Sequence, residues 1–467
     1  MIKIEENSII KQIMPYLPKE KVYVVGGYLR DILLGKKSDD IDIVVPQGLA
    51  KQTGMLIAEK LEGHFVPLDE LNQIYRVVLS DKKTYIDIAD IEGLDIKEDL
   101  KRRDFTINAL GYDIYKNELV DICDSYNDLK NGIIQEISEK NIIDDPIRIL
   151  RAYRFKSTLS FDLSENLTNI IKKHADLLKC PAAERINQEL FKLFDGDNLV
   201  LTLIELAKSG LLELIFPEIK EIKKVPPNAH HHLDLLNHSF ETVKHVSEYY
   251  KNSCEDVKKH LDTCAFGGYR RLVYLRIAAF LHDAGKPSTR TIDKDTGRER
   301  FIKHDDVGAK IIVPTLKKLK FSNKQILYIQ KLIKYHIYPA SVVTAENVTE
   351  KAMFRFIRKM EDEVIDLIAL AYADRLSARG EAITQEIIDK NINGLQKLLD
   401  LYLENIDKIE PLPKLLNGNE IMNILNINAG PKLGIIMEKL HEAQISSDVL
   451  TKEDAIEFIK KEGNFSG

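Results

Sequence analysis

The hydrophobic period of this chain changes after Asn141. Before it, short runs are β-branched, aromatic or alternating: VYVVGG (22–27), IDIVV (41–45), IYRVVL (74–79), TYIDIAD (84–90) and NALGYDIY (108–115). A period of two is that of half-buried strands. After it, DPIRILRAYRFKSTL and ERINQELFKLF place apolar residues at steps of three and four, the period of a helix. The chain therefore reads as an α/β head followed by a long, all-helical body. Turn-rich stretches, KVPPNAHHH (224–232), ARGEAIT (378–384) and IEPLPKLLNGN (409–419), divide that body.

The chain has 467 residues, 44 % of them hydrophobic and 30 % charged, which is globular composition and long enough for several domains. Its net charge of −6 does not advertise a nucleic-acid binder, but local patches matter more than the sum. Cys123, Cys180, Cys254 and Cys264 are scattered without a CxxC and read as reduced thiols. The first residues carry acids early and lack the apolar core of a signal peptide. No apolar run approaches the ~20 residues of a membrane span. A soluble cytoplasmic protein is expected.

Carboxylates in the strand IDIVV need a reason. Asp40 and Asp42 share a face while Ile41 and Ile43 take the other. Two like charges side by side repel, and a bound Mg²⁺ removes that penalty. A lone DxD is most often a solvated turn or strand edge. Here Gly26 and Gly27 precede it and allow close backbone approach to a ligand. YLRDILLG then opens a helix whose N-terminus favours phosphate, with Arg30 on its first turn. A phosphate cradle beside a metal pair suits a nucleoside triphosphate on Mg²⁺. A two-metal site calls for a third carboxylate. Asp87 in YIDIAD is the candidate, with Asp90 its competitor at the start of the following loop.

With these residues in view, the chain resembles the class II tRNA nucleotidyltransferase and bacterial poly(A) polymerase family. The matching segments are VGGYLRDILLG–DDIDIV, DLKRRDFTINAL (99–110), LVDICDSYNDLKNGII (119–134), DDPIRILRAYRF (144–155) and AERINQEL (183–190), in that order. The resemblance implies an α+β protein: a polymerase-β-like nucleotidyltransferase head with a mixed sheet, then an all-helical neck, HD domain and tail. The corresponding spans are 1–138, 139–225, 226–384 and 385–467. It implies that Gly26, Gly27 and Arg30 hold the triphosphate, that Asp40 and Asp42 carry catalytic Mg²⁺ (with Asp87 the third carboxylate read from the strand pattern), and that Arg103, Asp104 and Asn108 hold the sugar and its phosphates. In DDPIRILRAYRF, Asp145 and Arg148 would choose the base from one helix face, and Arg151 and Arg154 would continue that face toward triphosphate or RNA. Asp144 stands where the family pattern has Glu. Arg148, Arg151, Arg154 and Lys156 within nine residues argue against mere surface ion pairing.

The family implies the tRNA 3′ end, CTP and ATP as partners and CCA addition as the activity. Here the segment between TYIDIADIEG and RRDFT is short, which in the family is associated with enzymes that add only C; some adders of a single nucleotide are also compact there. A poly(A) polymerase with the same head is the alternative, and a non-catalytic RNA-binding protein a third reading.

The body adds its own pattern. His238, His282 with Asp283 in AAFLHDAGKP, His304, His336 and Asp374 in AYADRLSARGE are residue types that bind metals. A lone histidine at such a place is more often a satisfied core residue. The series H…HD…H…H…D resembles the HD phosphohydrolase superfamily. That implies His238, His282, Asp283 and Asp374 around one divalent ion, His304 and His336 completing a second, and Lys286 near a substrate phosphate such as one at an RNA end. A chain that works mainly as such a phosphohydrolase is the reading from another class. His230–His232 are expected to open a helix by packing. The last 80 or so residues resemble the family's tRNA-binding tail.

Overall fold

The computed structural model describes residues 8–228, 232–295, 297, 299–345, 349–406, 413–445 and 448–464. The chain divides into two compact units, Met1–Ile215 and Phe216–Gly467.

The first unit is built on a seven-stranded mixed sheet. Its strands are β1 (Tyr23–Val25), β2 (Asp40–Val45), β3 (His64–Asp69), β4 (Ile74–Val78), β5 (Tyr85–Asp90), β6 (Leu110–Asp113) and β7 (Glu118–Asp121). Their order is β3-β4-β5-β2-β1-β6-β7. β2 and β5 pair in parallel, and the other neighbours are antiparallel. The alternating isoleucines drive this arrangement. Ile41 and Ile43 on β2 and Ile86 and Ile88 on β5 are buried, which turns the intervening aspartates to the other face. After the sheet, the helix Ile147–Leu159 buries Ile149, Leu150, Tyr153 and Phe155 and packs against the helix Ala183–Asp195.

The second unit is mainly helical. Leu235–Asn252, Arg271–Leu281, Asn323–Tyr335 and Val364–Ser377 pack around one core. Every residue of Arg271–Leu281 beyond its first is buried, and apart from Arg276 the segment is apolar on all faces. Buried Asp366 is held there by Tyr328 Oη at 2.5 Å, His260 Nε2 at 2.8 Å and Arg271 Nη2 at 3.1 Å. Helices Gly418–Leu425, Pro431–Ile445 and Lys452–Asn464 share a smaller core of Ile421, Ile436, Leu440 and Ile459. No helix among the described residues is long and apolar enough to cross a membrane.

Several expectations need correction. The body is not all-helical. Asp162–Leu163 pairs in parallel with Ile133–Ile134, and a hairpin joins Arg290–Ile292 to Glu299–Phe301. Gly26 and Gly27 begin the helix Gly26–Leu33 rather than preceding it. Asn108 lies in a 3-10 turn before β6. Asp90 ends β5 and accepts the N–H groups of Gly48 (2.7 Å) and Ala50 (3.0 Å), so it serves a neighbouring helix start instead of the metal face. Asp145 lies outside the helix that carries Arg148: the Glu139–Asp144 helix stops before it and Pro146 follows. Of the 230–232 histidines, His230 and His231 fall outside the described residues. His232 precedes the next helix, which starts at Leu235 with Asp234 as its cap.

Candidate functional site

In the first unit, β2 and β5 set the chemistry. Asp42 and Asp87 are direct partners in the parallel pairing, and Asp40 is two residues along the same face. Burial pushes the Asp42 carboxyl up to about 6; the like charges of Asp40 and Asp87 add to that, while the Tyr28 N–H and Arg103 oppose it. Asp40 is also raised, by burial and then by Asp87. Arg76 on β4 neutralises part of the cluster, forking onto Asp87 at 2.7 Å from both Nε and Nη2 and reaching Asp40 at 3.4 Å. Three carboxylates against one guanidinium leave a negative oxygen-lined site, which fits a hard divalent cation.

The start of the Gly26–Leu33 helix faces this cluster. Gly26 has φ +66°, and a Cβ there would stand 2.8 Å from Asp42 Oδ2, so only glycine fits. A Cβ at Gly27 would make ordinary contacts of 3.6 Å or more, so the protein itself does not demand glycine there. Among the described residues no side chain caps this helix, and the Tyr28 N–H turns to Asp42 Oδ2, at 3.4 Å. The free N–H groups are a ready anion site.

A cleft of ≈ 490 Å³ gathers the rest: Gly26, Gly27, Arg30, Asp40, Asp42, Asp87, Arg103, Asp104, Asn108, Asp145, Arg148, Arg151 and Arg154 all line it. Arg30 donates to Asn108 Oδ1 (2.8 Å) and to Asp31 (2.9 Å). Asn108 in turn donates to Asp104 Oδ1 (2.9 Å). Burial alone would raise Asp104; Arg151 at 2.9 Å and Asn108 hold it below its ordinary value. Arg103 is tied to Asp99 at 3.1 Å. Arg148 donates to the carbonyls of Arg102 (3.0 Å), Asn141 (3.1 Å) and Arg103 (3.3 Å).

Sequence reasoning missed the opposite wall. The Ala183–Asp195 helix presents Arg185, Glu189 and Lys192 at i, i+4 and i+7, one face. Arg185 clamps Asp145 with two bonds of 2.8 and 2.9 Å. Glu189 accepts from Arg154 Nε at 3.0 Å, and burial still lowers that guanidinium to about 10. The spacing of these charges in AERINQELFKLF was the available signal. Lys156 belongs elsewhere: it is buried and pairs with Asp162 (2.7 Å) and Glu205 (3.0 Å), so it is no part of the basic face.

In the second unit, five elements bring the HD residues together. His238 lies on Leu235–Asn252, His282 and Asp283 just follow Arg271–Leu281, His304 opens His304–Ile311, His336 caps Asn323–Tyr335, and Asp374 lies on Val364–Ser377. Gly285 permits the close crossing that puts His304 beside Asp283, since a Cβ there would lie 2.0 Å from the His304 carbonyl oxygen. His282, His304 and His336 each turn Nδ1 to a backbone carbonyl at 2.7 to 2.8 Å. That assigns an N–H to Nδ1 and turns Nε2 of each ring toward the centre. The Nε2 atoms converge, His238 to His282 at 3.2 Å and His304 to His336 at 3.3 Å.

Asp283 spans two groups. Its Oδ2 is 3.2 Å from His282 and 3.4 Å from His238, and its Oδ1 is 3.4 Å from His304 and 3.9 Å from His336. Asp374 Oδ1 is 3.1 Å from His238. With no cation bound, Asp283 and Asp374 favour a second proton on His282, at Nε2, and raise it to about 10 although burial opposes the charge; a bound cation would take that proton's place, while burial and the neighbouring His282 lower His336 to about 4. Imidazole nitrogens converging on buried Asp283 and half-buried Asp374 fit one or two divalent cations. Lys286 is 2.7 Å from Asp283 Oδ2. It lines an adjoining cavity of ≈ 220 Å³ with His304, His336, Asp374 and the unforeseen Arg375 and Asn391.

Comparison with known proteins gives the family of the chain. The family described as Poly A polymerase head domain matches residues 22–135, the probable RNA and SrmB-binding site of polymerase A matches 160–223, and the HD domain matches 235–379. The chain is 31 % identical over 445 residues to the A-adding tRNA nucleotidyltransferase of Deinococcus radiodurans, covering 94 % of each chain. It is 30 % identical over 457 residues to the CC-adding tRNA nucleotidyltransferase of Thermus thermophilus, covering 95 % of this chain and 94 % of that one. The solved Thermotoga maritima CCA-adding enzyme complexed with tRNA shares the fold, with a TM-score of 0.56 at 23 % identity over 98 % of this chain and 96 % of that one. The class is that of nucleotidyltransferases with a polymerase head and an HD domain. The chain belongs to the tRNA nucleotidyltransferase family.

Proposed function

We propose that this enzyme adds nucleotides from CTP and ATP to the 3′ end of tRNA by template-independent, Mg²⁺-dependent transfer. One observation carries the reading: a single cleft joins the three-carboxylate face, an uncapped Gly-Gly helix start and the Asp145–Arg148 pair. In the reaction the tRNA 3′ hydroxyl attacks the α-phosphate, a new P–O bond forms, and the bond to pyrophosphate breaks. Mg²⁺ held by Asp40, Asp42 and Asp87 would supply Lewis-acid activation of the phosphate and the hydroxyl. The free N–H groups at Gly26 and Gly27 with Arg30 would receive the triphosphate, and Arg103, Asp104 and Asn108 the ribose and its phosphates. Arg151 and Arg154 add positive charge along the same wall.

Asp145 and Arg148 would read the base edge. Cytosine and adenine each offer an exocyclic amino donor beside a ring acceptor, which a carboxylate and a guanidinium match; uracil offers an acceptor where the donor is needed. A carboxylate has about four lone-pair directions, so two remain on Asp145 beyond those used by Arg185.

The form of the activity favoured here is addition of the C residues alone. Between Asp90 and Arg103 the chain has little slack. Asp95 caps the Ile96–Lys101 helix through the Lys97 and Glu98 N–H groups, Glu98 takes the Leu94 N–H at 2.7 Å, and Asp99 takes the Glu92 N–H at 3.2 Å. A segment pinned in this way cannot supply the long flexible loop that complete CCA synthesis uses in the family. Primer extension tests this with tRNAs ending before CCA, after C and after CC, given CTP, ATP or both. Addition that stops after two C residues supports it. Full CCA overturns the restriction, and adenylation of any RNA with disregard for CTP moves the assignment to a poly(A) polymerase.

The HD centre supports a second activity, metal-dependent hydrolysis of a phosphoester at an RNA end, with Lys286 beside the phosphate. The working division is a head over 1–138, a neck over 139–225, an HD domain over 226–384 and a tRNA-binding tail over 385–467. An enzyme acting on tRNA in this way would work in the cytoplasm.

A further inference from the structure

The basic wall of the nucleotidyltransferase cleft contains one cation of a different kind. Each of its five arginines is already tied to a carboxylate, amide or carbonyl oxygen. Lys192 lines the same cleft, is exposed, and has no hydrogen-bond or ion-pair partner among the described residues. An anion can therefore bind it without breaking an existing bond, and without the rigid fork that an arginine imposes.

Its place along the helix says which anion. Arg185 and Lys192 are seven residues apart on one face, about 10 Å along the axis. Arg185 marks the base-selecting end through Asp145. Lys192 marks the other end, where its charge acts on Asp40. Asp40 and Asp42 differ in setting. Asp42 faces the Gly26 helix start, where the triphosphate is received; Asp40 is exposed at the mouth. A positive charge beside the mouth-side carboxylate meets the strand that enters there.

We propose that Lys192 binds the phosphate of the 3′-terminal nucleotide of the tRNA, positioning its hydroxyl at the metal face. This rests on the transferase reading above. The triphosphate is the other source of phosphate in the cleft, and the test separates the two.

Wild type, Lys192→Ala and Lys192→Arg are compared in two series, tRNA varied at saturating CTP and CTP varied at saturating tRNA, each between 50 and 200 mM salt, the range over which phosphate contacts register. The alanine variant is expected to raise KM for tRNA about tenfold, leave KM for CTP unchanged, and lower the salt slope by about one. Arginine restores most of the loss. Unchanged KM for tRNA overturns the inference, as does a rise confined to CTP, which would assign the lysine to the triphosphate. A nucleotide-free tRNA binding titration with the same three proteins runs alongside. If wild type incorporates nothing, the transferase reading falls, and equal tRNA affinity in the three proteins still rejects the role of Lys192. An exposed, unpaired lysine leaves the melting temperature unchanged when replaced, which a thermal scan verifies.

Discussion

Arg185 holds both oxygens of Asp145, at 2.8 and 2.9 Å, across forty residues of sequence. Asp145 lies between two helices with no regular structure of its own, so this clamp is what aims its remaining lone pairs into the cleft. Replacing Arg185 with Ala is expected to lower kcat/KM for CTP by about ten- to a hundredfold and to narrow the preference for CTP over UTP, because a freed carboxylate no longer presents one geometry. Lysine, a point charge, should recover only part. Competition assays with paired nucleotides decide it; an unaltered CTP:UTP ratio would remove Arg185 from selection.

Asp42→Asn separates catalysis from stability. Incorporation should fall on the order of a thousandfold, as expected for a group acting on the transition state. The metal-free protein should become more stable. A carboxyl raised to about 6 when folded binds its proton more tightly than in the unfolded chain, so its ionisation opposes folding above pH 6, and this penalty fades as pH falls toward 4. The gain is on the order of 2 kcal/mol near neutral pH, a rise of several degrees in Tm. Calorimetry without divalent ions measures it, and a lower Tm would contradict a carboxylate penalised by burial and by its like-charged neighbours.

The HD centre makes a different demand. His282→Ala removes a nitrogen that faces both His238 and Asp283. Bound transition metal, counted by elemental analysis after dialysis, should drop, and hydrolysis of a 2′,3′-cyclic phosphate RNA end should vanish. CTP incorporation should persist, because the three-carboxylate face belongs to the other compact unit. Loss of both activities in a folded variant would show that the sites are not independent.

Asp366 should dominate the acid limit of the second unit. Burial alone would raise it; His260, Arg271 and Tyr328 hold it below its ordinary value. A carboxylate depressed on folding stabilises above its unfolded value near 4, and that contribution disappears as pH falls through the folded value. Asp366→Asn should cost about 3 kcal/mol at pH 7, since Arg271 loses its buried counter-charge. Denaturant titrations at pH 7 and at about pH 3 should show the variant and wild type converging at the acid end. A constant gap would rule this out.

Much of this molecule was legible in its sequence, and the exceptions share a cause. β2, β4 and β5 showed themselves because their inward residues alternate, and β1 and β6 as short β-branched or aromatic runs that are buried throughout. β3 did not, because it is an edge strand whose side chains are largely exposed and which tolerates Pro67. The thirteen cleft residues inferred from motifs do share one cleft, whereas Lys156 in the same run turns inward to a buried ion pair. A run of basic letters does not reveal which side of a helix is covered.

The sequence by itself determined the change from strand to helix, the DxD face, the paired glycines beside a helix start and the histidine series, since each depends on spacing within a few residues. Only the tertiary structure decided that Asp87 stands beside Asp42, that Arg76 and Arg185 tether the acidic groups, that Asp283 spans two sets of histidines, and that Lys192 is left unpaired among the described residues. Those are contacts between segments far apart in the chain. Strand order and helix packing bring them together, and no local period encodes them.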